Sequence, residues 1–142
     1  MAAKNKYAAD GIVLILLITI GIWGMIYQKN ADLCKKRMEF IKSYGWIVDE
    51  KSVIMERVKI PEEFDIIFLN YNDVQKKSGF NLENFKGKTL KRYTYSVKNH
   101  EDKYAVLNIF EYKGKIAASD VLSPALDGHL GGIDERTYQN AS

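Results

Sequence analysis

An uncharged run near the N-terminus, residues 11–28, constrains this chain more than any other feature of its sequence. Ten of its residues are Ile, Leu or Val, and each favours insertion near the bilayer centre by roughly 0.3–0.6 kcal/mol. Tyr7 stands before the run, and Trp23 and Tyr27 stand near its close. Because buried core helices seldom extend this far without a charge, the pattern predicts a transmembrane helix in contact with the lipid bilayer.

Two cleaved alternatives fit this stretch poorly. A secretory signal is followed by a small-x-small cleavage site, whereas residues 26–29 are all large. A lipoprotein leader carries a small residue immediately before its cysteine, but Cys34 follows Leu33. We therefore expect one uncleaved anchor over residues 11–28, preceded by a short tail formed by residues 1–10.

The charges that flank the anchor bear on its orientation. The positive-inside rule counts the Lys and Arg residues close to the span. The N-terminal side carries Lys4 and Lys6, and the C-terminal side carries Lys29, Lys35, Lys36 and Arg37. Taken alone, this count favours a cytoplasmic location for the domain that follows.

The rest of the chain has the composition of one globular domain. From residue 35 onward it carries 18 basic and 16 acidic side chains, a near balance that gives no strong attraction to nucleic acid. Cys34 is the only cysteine, so neither an intrachain disulfide nor a multi-cysteine metal site can form, although it could pair with a second chain. We expect a juxtamembrane helix over residues 29–45 and an α+β domain over residues 46–142. The oligomeric state stays open.

Hydrophobic periodicity predicts an antiparallel sheet with one main helix packed on one of its faces. Strands are predicted at residues 53–60, 88–98, 103–112 and 115–122. The helix is predicted to start at the Pro61 to Glu63 segment and to stop at Gly79. Its predicted core face consists of Phe64, Ile67, Phe68, Tyr71 and Val74. Asn81 is predicted to cap a short helical turn.

Three stretches carry a resemblance to a known family: "FIKSYGWIVDE", "VKIPEEFDIIFLNYNDVQKKSGFNLENFKGKTLKRYTYSVKN" and "SPALDGHLGG". The most distinctive part is the GF-N-L-x-x-F-x-G-K run that leads into Arg92-Tyr93-Thr94-Tyr95. Together they resemble the bacterial domain-of-unknown-function family 4830, over nearly the whole chain beyond the anchor. The resemblance implies a small membrane-anchored protein of Clostridia-like bacteria with an exported domain, which opposes the charge count. It implies no activity and no catalytic residue.

The most site-like stretch is "SDVLSPALDGHLGG", because Ser123, Asp127 and His129 are the residue types of a hydrolytic triad. Their crowding within a few positions argues against a triad, and Asp-Gly is an ordinary turn pair. His100 and His129 do not stand at metal-ligand spacing. We therefore predict no catalytic residue, no metal site and no cofactor.

A basic and aromatic stretch gives the second candidate site. Lysines at 86, 88 and 91 and Arg92 lead into Tyr93 and Tyr95, and such a patch suits anionic lipid headgroups or acidic wall polymers. The alternative is a solvated strand edge guarded by lysines. The residues that we expect to bind a ligand are Lys88, Arg92, Tyr93, Tyr95, Asp127 and His129.

The sequence thus favours a single-pass protein of the bacterial cell membrane with an extracytoplasmic α+β domain. We expect this domain to bind or sense a component of the cell envelope, such as a polymer or another membrane protein, without catalysing a reaction. Two alternatives stay open. One is a small envelope hydrolase that uses the region around Asp127 and His129, and the other is a regulatory module that faces the cytoplasm.

Overall fold

The protein is described by a computed structural model that covers residues 2–125 and 128–135, with side chains from Asp10 onward. Its first element is a long α-helix, α1 (Ala2–Ser43). From Asp10 onward this helix reaches a mean hydropathy of 2.0 in its most apolar window. By length and composition, it is long and apolar enough to cross a membrane.

The chain divides into two compact units, one ending at Met38 and the other beginning at Glu39. The finer segment boundaries predicted from the sequence stay predictions. The second unit contains every strand that the structure describes, a second α-helix and two short 3-10 turns. This arrangement confirms the predicted α+β fold.

The strands of the second unit form one antiparallel sheet in which each strand pairs with the next along the chain. They are β1 (Ile54–Lys59), β2 (Thr89–Ser96), β3 (Val106–Tyr112), β4 (Lys115–Ser123) and β5 (His129–Gly132). The fifth strand extends the sheet beyond the strands predicted from the sequence. Thr94, Asn108 and Asp120 are opposite one another in register, so they share the face that we call the helix face. Tyr95, Leu107 and Val121 share the second face.

The second α-helix, α2 (Ile66–Lys77), starts later than predicted. The side chain of Asp65 caps it by accepting a hydrogen bond of 2.8 Å from the amide of Phe68. The two acids before it, Glu62 and Glu63, lie outside the helix. The physical reason is that Ile60 is still bound to the sheet, since its amide donates to the carbonyl of Lys88 over 2.9 Å.

The face of α2 that packs on the sheet differs from the predicted one. Phe64, Phe68 and Tyr71 pack against the main core cluster as predicted. Ile67 is 74% exposed, so its assignment to the core was wrong. The fully buried side chains of α2 are instead polar, Asn72 and Gln75. Their hydrogen bonds turn the helix so that Ile67 lies in solvent. The core cluster itself consists of Ile60, Leu82, Leu90, Phe110, Ala117 and Ala118.

The turn after α2 follows the sequence prediction. Asn81 caps the 3-10 turn Leu82–Phe85 by accepting a hydrogen bond from the amide of Glu83 over 3.0 Å. Its side chain also accepts from Asn72 of α2 over 3.1 Å. Asn81 therefore joins the helix to the turn that leads into β2.

The chain enters the sheet region through Gly45 and Trp46, beside the end of β2. The carbonyl of Gly45 accepts a hydrogen bond of 2.9 Å from the side chain of Asn99. The indole of Trp46 is buried and donates to the carbonyl of Ile133 over 2.6 Å. These contacts fix the entry point at the opposite end of β2 from Lys88.

Candidate functional site

The structure separates the predicted basic and aromatic residues of β2. Because successive side chains of a strand point to opposite faces, Arg92 lies on the helix face, whereas Tyr93 and Tyr95 lie on the second face. Tyr95 is only 1% exposed and belongs to the core, so its placement in a surface patch was wrong. The guanidinium of Arg92 lies 2.5 Å from the carboxylate of Glu56. Ligand binding by Arg92 and Tyr93 stays a prediction.

Lys88 lies in a separate cluster of lysines at the end of the sheet where β2 begins. We call this cluster the basic end, and its members are Lys86, Lys88, Lys113 and Lys115. All four side chains are exposed. Lys113 belongs to the tight turn between β3 and β4, and Lys115 is opposite Tyr112 in that hairpin. The fold thus gathers lysines from two loops that are distant in sequence.

Aromatic rings hold three of these lysines in place. The ammonium of Lys86 lies 4.9 Å from the ring centre of Phe64. That of Lys88 lies 5.4 Å from Tyr112 and 5.6 Å from Phe85. The Lys113 ammonium lies 5.4 Å from the ring centre of Tyr112. Cation–π contacts of this kind attract an ammonium group to the face of a ring.

Two of the described carboxylates lie near the basic end without forming an ion pair with its lysines. Glu62 lies against Gly87, and Glu83, whose pKa is lowered mainly by Lys76, also interacts with the charge of Lys86. Among the side chains that the structure describes, no Asp or Glu oxygen lies within 4 Å of these four ammonium groups. Like charges held close together repel one another, and the repulsion falls when an anion binds between them. The arrangement can therefore bind a multivalent anion.

Of the three residues of the hypothetical triad, the structure describes Ser123 and His129, and each contacts a carboxylate elsewhere in the chain. Asp127 lies outside the described residues. The hydroxyl of Ser123 donates a hydrogen bond of 2.6 Å to the carboxylate of Asp102. Nε2 of His129 lies 3.3 Å from a carboxylate oxygen of Glu135. A serine nucleophile must donate its proton to a base. The base available to Ser123 is therefore its hydrogen-bond acceptor, Asp102, and not the imidazole of His129.

Asp102 is a poor base for Ser123. The hydrogen bond from Ser123 is the main cause that holds the pKa of the Asp102 carboxyl below its ordinary value. Amide donors at Tyr104 and Ala125, each 2.8 Å away, act in the same direction. The hydrogen bonds of Asp102 thus link the turn before β3 to the end of β4.

The cavity next to Ser123 is small. It is lined by Trp46, His100, Ser123 and His129, and the space open to the centre of a water-sized sphere is about 10 Å³. A volume of that size admits about one water molecule. The rings of Trp46 and His100 stack beside it with centres 6.1 Å apart.

A buried polar network on the helix face was not predicted from the sequence. The carboxylate of Asp120 accepts hydrogen bonds from Tyr71 over 2.5 Å, from Asn108 over 2.8 Å and from Gln75 over 3.1 Å. Thr94 donates to Asn108 over 2.7 Å. The signal that could have found it is the presence of Asn108 and Asp120 inside the two most apolar strands. Polar residues at such positions need partners when they are buried.

Burial governs the charges of this network. It raises the pKa of the Asp120 carboxyl above its ordinary value, although the three hydrogen bonds and the charge of Arg92 act in the opposite direction. Burial and the neighbouring Asp120 also raise the pKa of the Tyr71 phenol, which stays protonated and donates. The network joins α2 to β3 and β4. In the described part of the chain, no group of three His, Cys, Asp or Glu side chains could hold a metal ion.

Comparison with known proteins relates the second unit to a protein family. A family model described as "Domain of unknown function (DUF4830)" matches residues 40–121, more than half of the chain. The chain belongs to the DUF4830 family. No curated protein and no solved structure matches it.

The DUF4830 match includes both the basic end and the Asp120 network. It contains the four lysines of the basic end and every member of the Asp120 network, and it ends at Val121, before His129. The family description assigns no activity. The geometry of the second unit therefore carries the functional proposal.

Proposed function

We propose that this DUF4830 protein is a membrane-anchored binding protein of the bacterial envelope that catalyses no reaction. Its basic end binds an anionic polymer, and α1 anchors it in the bilayer. The observation that carries this proposal is the cluster formed by Lys86, Lys88, Lys113 and Lys115, which is exposed and forms no ion pair within 4 Å among the described side chains.

The cluster suits a chain of repeated negative charges. One isolated anion would gain little at an exposed site, because water and salt screen its attraction within about 10 Å at 0.1 M salt. A polymer that carries a phosphate on each unit can contact several ammonium groups at once, so the later contacts form at a high effective concentration.

A polymer and lipid headgroups differ in how they can reach the basic end. Gly45 binds Asn99 beyond the end of β2, while Lys88 precedes its beginning. The intervening strand is about 25 Å long at ~3.3 Å per residue. A polymer can reach the basic end whatever the tilt of the domain, whereas headgroups require this end to face the bilayer.

The test uses the full chain in nanodiscs of zwitterionic lipid, with fluorescent inorganic polyphosphate as the probe. Replacing the four lysines of the basic end by Gln should weaken binding at least tenfold. The matched control exchanges the same number of exposed lysines elsewhere: Lys42, Lys51, Lys77 and Lys103. It should change binding by less than threefold. Equal losses in the two variants would mean that net charge alone attracts the probe, and the proposal would fail.

A second arm separates the polymer from the membrane. The chain is incorporated into nanodiscs that contain anionic lipid, without polyphosphate, and Lys88 is probed by its reaction rate with an amine reagent. If lipid headgroups occupied the basic end, protection of Lys88 would rise with the anionic lipid content. We expect no such protection.

The proposal also places the domain outside the cytoplasm. The family resemblance favours this side, while Lys29, Lys35, Lys36 and Arg37 favour the cytoplasm. The thiol of Cys34 is exposed and unique. A membrane-impermeant maleimide should label it in intact cells. Labelling only after lysis would place the domain in the cytoplasm and favour a regulatory module instead.

A further inference from the structure

We propose that the outer edge of β1 is a docking site for an extended, acidic segment of a partner protein, which adds to the sheet as a strand next to β1. The site is distinct from the basic end and does not depend on it. It rests on the open backbone of β1, on its exposed apolar side chains and on its charge.

The backbone of β1 is open on one side. β1 lies at the edge of the sheet and pairs only with β2 in the described part of the chain. The amide of Ile60 donates to Lys88, so Ile60 and every second residue before it face β2. The intervening residues, Met55, Arg57 and Lys59, turn their N–H and C=O groups outward. They form a ready template for another strand.

Apolar side chains along this edge are exposed on both faces of the sheet. Ile54 is 61% exposed on the helix face, and Met55 is 50% exposed on the second face. Natural edge strands usually avoid such exposure, because it invites pairing with another chain. An added strand would cover both side chains with the residues opposite to them.

The charge of the edge selects an acidic partner. Arg57 and Lys59 both lie on the second face, and Arg57 is directly opposite Lys91 of β2. Like charges in directly opposite positions destabilise a sheet. The buried Glu111 is opposite Lys91 on its other side, but no described carboxylate lies within 4 Å of Arg57 or Lys59. Carboxylates of an added strand would supply the missing counter-charges.

A second copy of this chain fits the edge poorly. Outward residues must face outward residues in an antiparallel pair, so only every second register is possible. The two such registers with the longest overlap place Glu56 opposite Glu56, or Arg57 opposite Arg57. Both registers oppose like charges at the centre of the pairing. The carboxylate of Glu56 is, in addition, already bound to Arg92.

These constraints define the residue pattern of the partner. In an antiparallel strand, acidic residues would be opposite Lys59 and Arg57, and apolar residues would be opposite Val58, Met55 and Ile54. Main-chain hydrogen bonds supply affinity in this mode of recognition, and the alternating side chains supply specificity. A peptide of sequence Glu-Val-Glu-Thr-Leu-Ile, blocked at both ends, meets the pattern and serves as the probe.

The experiment measures binding of this peptide, labelled with a fluorophore, to the full chain in zwitterionic nanodiscs. Met55→Pro removes one outward N–H while keeping every charge and every β1–β2 hydrogen bond, since proline is tolerated at an edge strand's solvent side. It should weaken binding at least tenfold. Met55→Ala, which keeps the N–H, should weaken it less than threefold. Equal binding by Met55→Pro and the wild type would refute strand addition.

Two further readouts keep the test decisive if Met55→Pro fails to fold. In the wild type, the peptide should slow amide exchange at Arg57 and Lys59 and leave β5 unchanged. The charge reversal Arg57→Glu with Lys59→Glu should prefer the peptide Lys-Val-Lys-Thr-Leu-Ile over the original one. Absence of either effect would overturn the proposal. So would a concentration-dependent dimer that Met55→Pro abolishes, because a second copy would then occupy the edge.

Discussion

The phenol of Tyr71 donates a hydrogen bond of 2.5 Å to the carboxylate of Asp120, and this contact joins α2 to the centre of the sheet. Asp120 is fully buried and accepts two further hydrogen bonds, from Asn108 and Gln75. A buried carboxylate is favourable only while its partners stay in place. The position of α2 on the sheet therefore depends on the hydrogen bonds that one buried side chain accepts.

We predict that Asp120 makes stability fall as pH rises. Burial raises the pKa of its carboxyl above the unfolded value, so the folded state holds the proton in a pH range where the unfolded state has lost it. The free energy of unfolding contributed by Asp120 is then greatest below the unfolded pKa and decreases through the folded pKa.

The measurement compares the wild type with Asp120→Asn by urea unfolding between pH 3 and pH 7. Fluorescence of the buried Trp46 reports unfolding, in a Trp23→Phe background that removes the second tryptophan. The stability difference, wild type minus variant, should decrease as pH rises. An increase with pH would mean that the folded pKa is lowered.

Core substitutions should separate the true packing face of α2 from the one expected from periodicity. A fragment from residue 31 onward should fold alone, because the core cluster lies wholly in the second unit. In this fragment, Leu82→Ala should cost about 2–5 kcal/mol, as for other fully buried leucines. Ile67→Ala, at an exposed position, should cost less than about 0.5 kcal/mol. Phe68→Ala should fall between them, because its ring is half-buried. A larger cost for Ile67 than for Phe68 would contradict the observed rotation of α2.

The hydrogen bond from Ser123 should be visible in the titration of Asp102. Removing it by Ser123→Ala should raise the pKa of the Asp102 carboxyl toward its ordinary value, because this bond is the main cause of the lowered pKa. In the wild type, the stability contributed by Asp102 is present above the unfolded pKa and is lost as pH falls through the folded pKa. Carboxyl chemical shifts measured by NMR follow the titration. An unchanged pKa would assign the effect to the amides of Tyr104 and Ala125.

Membrane fractionation tests the role of α1. The full chain should stay in the pellet after carbonate extraction, because residues 11–28 form part of one long apolar helix that we expect to stay uncleaved. A variant with Leu16→Arg and Leu17→Arg should shift to the supernatant, since a charge at the bilayer centre costs about 2.5–3.5 kcal/mol. Recovery of a soluble wild-type chain that starts near residue 30 would show cleavage instead.

Local signals predicted the elements better than their faces. Asn81 could be predicted as a cap because its role depends only on the next few residues. Ile67 was misplaced because helical spacing alone does not show which flank meets the sheet, and the buried Asn72 and Gln75 decide it. Asp65 marks the true start of α2, yet the sheet contact of Ile60 that delays this start joins residues distant in sequence.

The candidate site was harder to predict for the same physical reason. Lys86 and Lys88 were noticed together because they are near neighbours, but Lys113 joins them only through a ring that both loops share, Tyr112. Asp120 could not be distinguished from a solvated strand residue without knowing that α2 covers it. Hydrophobic periodicity in the sequence does not show which distant elements contact one another, so it cannot predict a site that such contacts form.

The strand order of the sheet has a consequence for how the domain folds. Because spatial order follows chain order, most pairings form between residues that are close in sequence, which lowers contact order and speeds folding. The hairpin of β3 and β4 needs only Lys113 and Gly114 to close. The pairing of β1 with β2 must wait until α2 and its turn have emerged between them. During synthesis, β1 is therefore the strand that spends longest without a partner, exposing Ile54 and Met55 to whichever chain meets them first.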